Sequence, residues 1–595
     1  MRSSRERPFQ GPQGRLQLLV ILMMALLLGR LFHLQILSRE HFQTKSRENR
    51  FEQVRIPSAR GLILDRNGRV LAENLTACEL SMSLGAYEAD STLLPRVADI
   101  LERPQIELLA RIAAAREAGD SRIVLERDLD AIPLLAIEEQ LQELEGLRLR
   151  DWARRNYPYG DLCAHLLGYV GEVSEPEILA KRGGTEPFFP GDLVGRSGVE
   201  QRWQDRLRGR DGKELFLVNA RGTLLETVDF APPVAGETLI LSLDIELTAV
   251  LDSALADWGR GAGVVLDVAT GEVLAMASRP SYDPNLFTGG IPQWLWTELS
   301  EDEGRPLFNR ALQATYAPGS TYKPIVALAA LEQGTLGRLG ELEPCYGGLQ
   351  LGRRYFRCWF EQGHGSLDLE HALERSCDVW YYQVGSGVGS DGMARVARRF
   401  GLGSPAGLDL GYEASGLVPD TDYFNRRYGR RGWSRGLVWN ISIGQGELLV
   451  TPLQMARLYA GLASGRHLAV PHLLLRSEGP EFTEFSRPAE PEGLSIRPRD
   501  LSRVRRGLEL VMHGTWGTAR GSKVPGLLTA GKTGTVQNPH GSEHAWFCGY
   551  APAENAQIAV AVIVEHGEHG SDVAPIFRSL VQKWLALKQD GEALP

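Results

Sequence analysis

Leu16 to Leu37 is the one stretch of this 595-residue chain long and apolar enough to cross a bilayer. At about 1.5 Å of rise per residue, a helix of that length spans roughly 33 Å, against a hydrocarbon core of about 30 Å. Such a segment divides the rest of the chain between two compartments. Arg2, Arg5, Arg7 and Arg15 precede it, and the positive-inside rule therefore places residues 1–15 in the cytoplasm. Leu31, Phe32, His33 and Leu34 stand where a cleavable leader would need small residues, so the run reads as a retained anchor, residues 16–37. Arg30 admits two readings, snorkelling to the outer interface or facing a membrane partner. Everything from Ser38 onward is expected outside the cytoplasm, beginning with a polar, amphipathic helical continuation to about Arg50.

That exported remainder is too long for one hydrophobic core. A formal net charge of -9 argues against a nucleic-acid partner, which calls for a basic surface. The segment RGLILDRNGRVLA carries a hairpin signal: Leu62–Leu64 and Val70–Ala72 flank an Asn67-Gly68 turn. Residues 92–145, rich in Leu, Ala, Glu and Arg, have helical periodicity. The glycine-punctuated blocks at 154–171 and 194–212 carry no catalytic constellation, and His165 reads as a packing residue. Residues 38–233 are thus expected to form a non-catalytic pedestal. Pro232-Pro233 mark a boundary, after which residues 234–587 read as one α/β region and 588–595 as a tail. Within it, residues 261–278 predict two strands joined at Thr270-Gly271, residues 557–567 another strand, and residues 575–587 a terminal helix.

The chemistry concentrates in three short motifs. In APGSTYKP, a Pro318-Gly319 turn opens a helix with Ser320 and Lys323 on one face. A serine hydroxyl is a weak nucleophile until a neighbour takes its proton, and a helix N-terminus disfavours a protonated amine; Lys323 is placed to act as that base. Ser376-Cys377-Asp378 and Lys532-Thr533-Gly534-Thr535 follow in order.

This ordered set resembles the serine acyl-transferases that include the penicillin-binding proteins and serine β-lactamases. Longer blocks make the resemblance more specific: YPYGDLCAHLLGYVG, GRSGVE, SYDPN, NRALQATYAPGSTYKP, GQGELLVTPLQMA and GKTGT. Together with the anchor they are similar to the class B penicillin-binding proteins, and within these to the penicillin-binding protein 2 group. The resemblance implies an antiparallel sheet flanked by helices on an elongated pedestal of dimerisation type. It implies a peptidoglycan D,D-transpeptidase of cell elongation, resident in the inner membrane with its catalytic domain in the periplasm. Ser320 would be the acylated nucleophile and Lys323 its base, with Ser376 and Lys532 completing the relay. Asp378, Thr533, Gly534 and Thr535 would bind substrate, Gly534 by letting it approach the strand. The backbone N–H groups of Ser320 and Thr535 would form the oxyanion hole. Implied ligands are stem peptides, cross-linked through a diaminopimelate amine, and β-lactams; implied partners are a multi-pass membrane glycosyltransferase and other elongation proteins. A septal transpeptidase is the runner-up, and a penicillin-binding sensor would need further membrane or cytoplasmic segments.

Cys345, Cys358, His364 and Cys377 form a further cluster, with Cys377 inside the Ser376–Asp378 triplet. Three thiolates and an imidazole suit a closed structural zinc site, and the resemblance implies a metal of Cys, His and Asp ligands beside the active site. A Cys345–Cys358 disulfide is the alternative that an oxidising compartment allows. Cys78, Cys163 and Cys548 read as small buried apolar residues.

Overall fold

The computed structural model describes residues 12–37, 51–118, 122–126, 128–141, 143–144, 146–181, 187–189, 191–218, 224–480, 482–538 and 541–592. The helical continuation expected over residues 38–50 lies outside them. The chain divides into two units, one of residues 1–59 with 209–235 and one of residues 60–208 with 236–595.

In the first unit, Leu, Met and Ala, all strong helix formers, build a helix over Pro12–Phe32 that ends in a π-helical turn, His33–Leu37. Among the described residues, Leu16–Ile36 is the one span apolar enough to cross a membrane, with a mean hydropathy of 2.0 and none of it buried. A helix apolar on every side and covered on none matches a lipid solvent. The unit also holds an antiparallel sheet in the order Phe51–Ile56, Gly212–Val218, Leu224–Ala231. Asp211 pins its start, accepting from Arg55 Nε at 2.5 Å and the Ser58 N–H at 2.9 Å.

The second unit begins with a sheet shared between distant parts of the chain. Thr238–Leu241 pairs in parallel with Ile63–Leu64 and antiparallel with Leu474–Glu478. Ile63–Leu64 and Val70–Ser83 flank the expected hairpin turn, where Asp65 Oδ1 accepts from the N–H groups of Asn67 and Arg69, both at 2.8 Å. The second strand runs far past Ala72 because Leu147–Asn156 pairs along most of its length. Residues 92–145 are not wholly helical. Arg122–Glu126 forms a strand against Leu80–Ser83, a pairing that depends on a partner remote in sequence. The RRNYPYG and GRSGVE blocks meet at Glu200, which is fully buried and accepts from Arg60 Nε at 2.6 Å and Arg155 Nε at 2.7 Å. One carboxylate thus anchors two guanidinium groups, and removing it would strand two buried cations.

The layers around the three motifs follow. We label the helices α1 (Ile245–Ala256), α2 (Lys323–Glu332), α3 (Asp378–Arg399), α4 (Pro452–Ser464), α5 (Pro498–His513) and α6 (Gly570–Glu592). The strands are β1 (Gly261–Asp267), β2 (Val273–Arg279), β3 (Ala530–Val536), β4 (His544–Ala551) and β5 (Ile558–Val564). They form one antiparallel sheet in the order β2-β1-β5-β4-β3. The turn expected at Thr270-Gly271 does join β1 to β2. Alternate residues of β5 face opposite sides. Val560, Val562 and Val564 pack with Leu251 of α1 and Phe577 of α6, while Ala559, Ala561 and Ile563 join the core that holds Met455 and Leu458 of α4. Burial on both faces explains why the strand reads as an unbroken apolar run. Because β3 lies at one edge, Lys532 to Thr535 border the segment that carries Ser320.

That segment is locked by two glycines. The Gly319 N–H donates to the Gly444 carbonyl at 2.8 Å. Gly444 has φ +74°, and a Cβ there would lie 1.9 Å from the Gly319 oxygen. We expect Gly444→Ala to cost about 3 kcal/mol through strain and displaced backbone; a thermal-unfolding scan of the purified variant should show a lowered Tm, and an unchanged Tm would refute this account of the contact.

Candidate active site

Ser320 sits on a single 3₁₀ turn, Gly319–Tyr322, that passes directly into α2. It therefore precedes the α-helix instead of lying in its first turn. In 3₁₀ geometry residues three apart nearly eclipse, which keeps Ser320 and Lys323 on one face. The turn is held from several directions: Tyr459 of α4 donates to the Thr321 carbonyl at 2.9 Å, and the Trp546 indole donates to the Ala317 carbonyl at 3.1 Å. Ser320 stays partly exposed while Lys323 is fully buried.

The Lys323 ammonium collects the second motif around itself. Nζ donates to Asp378 Oδ1 at 2.7 Å, the Ser376 carbonyl at 2.8 Å and Ser376 Oγ at 3.2 Å. Ser376 occupies the left-handed region, φ 53°, which non-glycine residues adopt only under local constraint. The constraint here is a tight link between helix Leu369–Glu374 and α3. Asp378 opens α3, where the helix dipole favours a carboxylate. Its second oxygen accepts the Trp359 N–H at 3.0 Å. Burial pushes this carboxyl up and Lys323 pulls against it, leaving it above the usual range. Both oxygens of Asp378 are thus engaged inside the protein, one by Lys323 and one by the Trp359 N–H.

Lys532 arrives from β3, fully buried, with Nζ donating to the Thr533 carbonyl at 3.0 Å. Burial, and then the charge on Lys323, hold it well below the ordinary lysine range, with Asp378 opposing them. Thr533 Oγ1 lies 2.7 Å from Thr518 Oγ1. Thr535 Oγ1 accepts from the Gly570 N–H at 3.3 Å, and the Thr535 carbonyl accepts from Gln445 Nε2 at 3.3 Å. A Cβ on Gly534 would stand 2.9 Å from Thr321 Cγ2 and 3.0 Å from the Pro318 carbonyl. Its missing side chain therefore makes room for the serine turn. Gln445, Thr518 and Trp359 were not assigned roles from the sequence. Gln445 lay in plain view in the GQG block; the other two reach the site only through tertiary folding.

Cys345, Cys358, His364 and Cys377 are all buried, with ligand atoms within 4.8 Å of one another. His364 Nδ1 lies 3.5 Å from Cys358 Sγ and 3.6 Å from Cys345 Sγ. Backbone bonds between Cys345 and Gly365 in both directions, at 2.9 and 3.0 Å, close the loop that brings them together. All six cysteines are free thiols, so the Cys345–Cys358 disulfide is not formed. Hydrogen bonds from Cys377 lower the thiols of Cys345 and Cys358, and Cys377 itself is raised in return. Burial lowers His364, but these two thiols outweigh it and its pKa is raised. Three soft sulfurs and an imidazole converge with none left over, the donor set of a closed structural zinc site. Of the other cysteines, Cys163 and Cys548 are buried as expected, whereas Cys78 is only half-buried. His165 packs edge-on against Tyr282, its Nε2 is 2.7 Å from the Pro306 carbonyl, and burial lowers its pKa to about 4.

This architecture has known counterparts. Residues 261–582 match the family model of the penicillin binding protein transpeptidase domain, and residues 55–241 that of the penicillin-binding protein dimerisation domain. The peptidoglycan D,D-transpeptidase MrdA of Acinetobacter baumannii is 33% identical over 597 residues, covering 97% of this chain and 88% of that protein. The structure of penicillin-binding protein 2 from Helicobacter pylori in complex with MreC superposes with a TM-score of 0.79 at 28% identity, covering 90% of this chain and 99% of that one. A chain from a peptidoglycan synthase complex, solved to address the coordination of polymerization and crosslinking, gives a TM-score of 0.72 at 31% identity, covering 96% and 98%. With a serine turn, a buried lysine bridge and an edge strand arranged on that same fold, the chain belongs to the penicillin-binding proteins, in the class B group of penicillin-binding protein 2.

Proposed function

We propose that this chain is a peptidoglycan D,D-transpeptidase that cross-links stem peptides during cell elongation. The observation that carries the reading is the buried Lys323 Nζ, bonded at once to Ser376 Oγ at 3.2 Å and Asp378 Oδ1 at 2.7 Å, one turn beyond a partly exposed Ser320. Lys323 first passes its own proton through Ser376 to Lys532, and as the free amine it accepts the proton of Ser320 as Ser320 Oγ attacks the carbonyl of the penultimate D-Ala. Ser376 passes a proton onward to the nitrogen of the departing terminal D-Ala. The substrate lies along β3, with Thr533 and Thr535 toward its carboxylate. The N–H groups of Ser320 and Thr535 receive the developing oxyanion, one such donor typically lowering a barrier by about 3 kcal/mol. An acceptor amine, of diaminopimelate in this reading, gives its proton to the same relay and takes the acyl group. A β-lactam enters the first half-reaction and stays as the ester.

The chain carries this site outside the cytoplasm, on the helix Pro12–Phe32 as its single anchor, with the N-terminus inside. Its partners are a multi-pass membrane glycosyltransferase and elongation proteins of the kind bound by the H. pylori relative. Cys345, Cys358, His364 and Cys377 would hold one zinc ion, whose four bonds to protein fix the loop around Ser376 and leave no position for catalysis.

Incubation with a labelled penicillin should place a single adduct on Ser320, and Ser320→Ala should lose it; continued covalent labelling of that variant would refute the reading. Lys532→Arg stays charged at every accessible pH, so it should keep attraction for carboxylates but lose relay, slowing acylation about 100-fold. Asp378→Asn removes the charge that holds Lys532 up. With Lys532 then easier to deprotonate, the acidic limb of the acylation–pH profile should move to lower pH, and a limb that moved upward would contradict the assignment. Metal analysis should find about one zinc per chain in the parent and less in Cys358→Ser, with extra thiols titrating only after chelation; a metal-free protein with the same Tm before and after chelation would exclude the ion.

A further inference from the structure

Five exposed arginines crowd one short segment, Arg426, Arg427, Arg430, Arg431 and Arg435, in a chain whose formal net charge is -9. The segment links helix Thr421–Tyr428 to helix Arg435–Ser442. It has a built shape. Trp433 folds back so that its ring lies 5.2 Å from Phe424 and its indole donates to Asn425 Oδ1 at 3.0 Å. Gly429, at φ +79°, turns the chain out of the helix, and the Gly432 N–H returns to the Gly429 carbonyl at 3.0 Å. The apolar part of the loop is therefore spent inward, and its cations are left in solvent.

A second element extends the charge. The hairpin of Gly348–Leu351 and Arg354–Arg357 presents Arg353, Arg354 and Arg357, all exposed. It is seated on helix Arg435–Ser442: the Phe356 ring lies 4.9 Å from Trp439, and a Cβ on Gly436 would stand 3.1 Å from Phe356. Among the described residues, the one ion pair made by these eight arginines is Arg427 with Glu447, at 3.4 Å. Arg435 occupies the first position of its helix, where the macrodipole disfavours a cation. Such a cluster repels itself at spacings within a Debye length, about 8 Å. Neither helix stability nor ion pairing among the described residues accounts for it.

The patch is tied to the reaction centre by covalent continuity. Helix Arg435–Ser442 ends two residues before Gly444, whose carbonyl holds the Gly319 N–H at 2.8 Å, and Gln445 bonds the Thr535 carbonyl at 3.3 Å. We propose that the arginine loop and hairpin form a docking surface for the carboxylates of nascent, uncross-linked peptidoglycan strands. This deepens the transpeptidase reading and rests on it. Stem peptides are polycarboxylates at neutral pH, so neighbouring stems on one strand can occupy several arginines while another reaches Ser320. Exposed charges act mainly on encounter rate and salt dependence, which suits a polymer that must be held and then released.

The test uses the full-length detergent-solubilised protein, purified uncross-linked strands, and the variant R430E/R431E/R435E. The parent should co-sediment with strands at low salt and much less at high salt. The variant should bind about tenfold more weakly, the equivalent of a few exposed ion pairs. Strands whose carboxylates have been amidated should bind the parent as weakly. Penicillin acylation of Ser320 should stay within about twofold in the variant, as for a surface change remote from the chemistry. Equal strand binding by parent and variant, or equal binding of amidated strands, overturns the inference. So does arginine-dependent attachment to anionic phospholipid vesicles without attachment to strands. If the parent is not acylated by penicillin at all, the transpeptidase reading fails first and removes the ground for this surface.

Discussion

The structure turns on one buried ammonium group. Lys323 is fully enclosed, and an isolated charge in such surroundings would be costly by several kcal/mol. It is tolerated because Asp378, the Ser376 carbonyl and Ser376 Oγ converge on it. Each comes from a different place in the sequence than Lys323 itself, so meeting the needs of this one nitrogen forces α2 and the N-terminus of α3 together. Lys532 then arrives from β3 into the same enclosure. Burial, and then the charge on Lys323, hold Lys532 well below the ordinary lysine range.

The scaffolding around this group is arranged to permit very little movement. The Gly319–Gly444 contact, the space left by Gly534 and the bonds from Tyr459 and Trp546 fix the serine turn against the sheet edge. On the other side of Ser376, Cys377 converges with Cys345, Cys358 and His364. A side chain in the left-handed region gains from such support, since nothing local would hold it.

The two regions of the polypeptide are less separate than their composition suggests. Residues 60–208 belong to the same unit as the catalytic layers, because Ile63–Leu64 pairs with Thr238–Leu241 and Glu200 binds both Arg60 and Arg155 in a dry interior. The helical reading of residues 92–145 failed at Arg122–Glu126 for a related reason. A five-residue strand is stabilised by its partner, and that partner lies some forty residues earlier.

Much was legible from sequence alone. The anchor, the Asn67-Gly68 hairpin, the strands β1, β2 and β5, and the three motifs follow from local chemistry: apolar length, turn residues, periodicity and a fixed i to i+3 spacing. What the sequence could not determine is where those groups point. The motif spacing does not reveal that Asp378 bonds to Lys323 or that Gly534 lies against Thr321. The cysteines read as a zinc site, with a disulfide as the alternative, and the sequence does not show that the four donors converge. Only the tertiary structure decided, since burial, charge neutralisation and close packing are sums over neighbours that lie far apart along the chain.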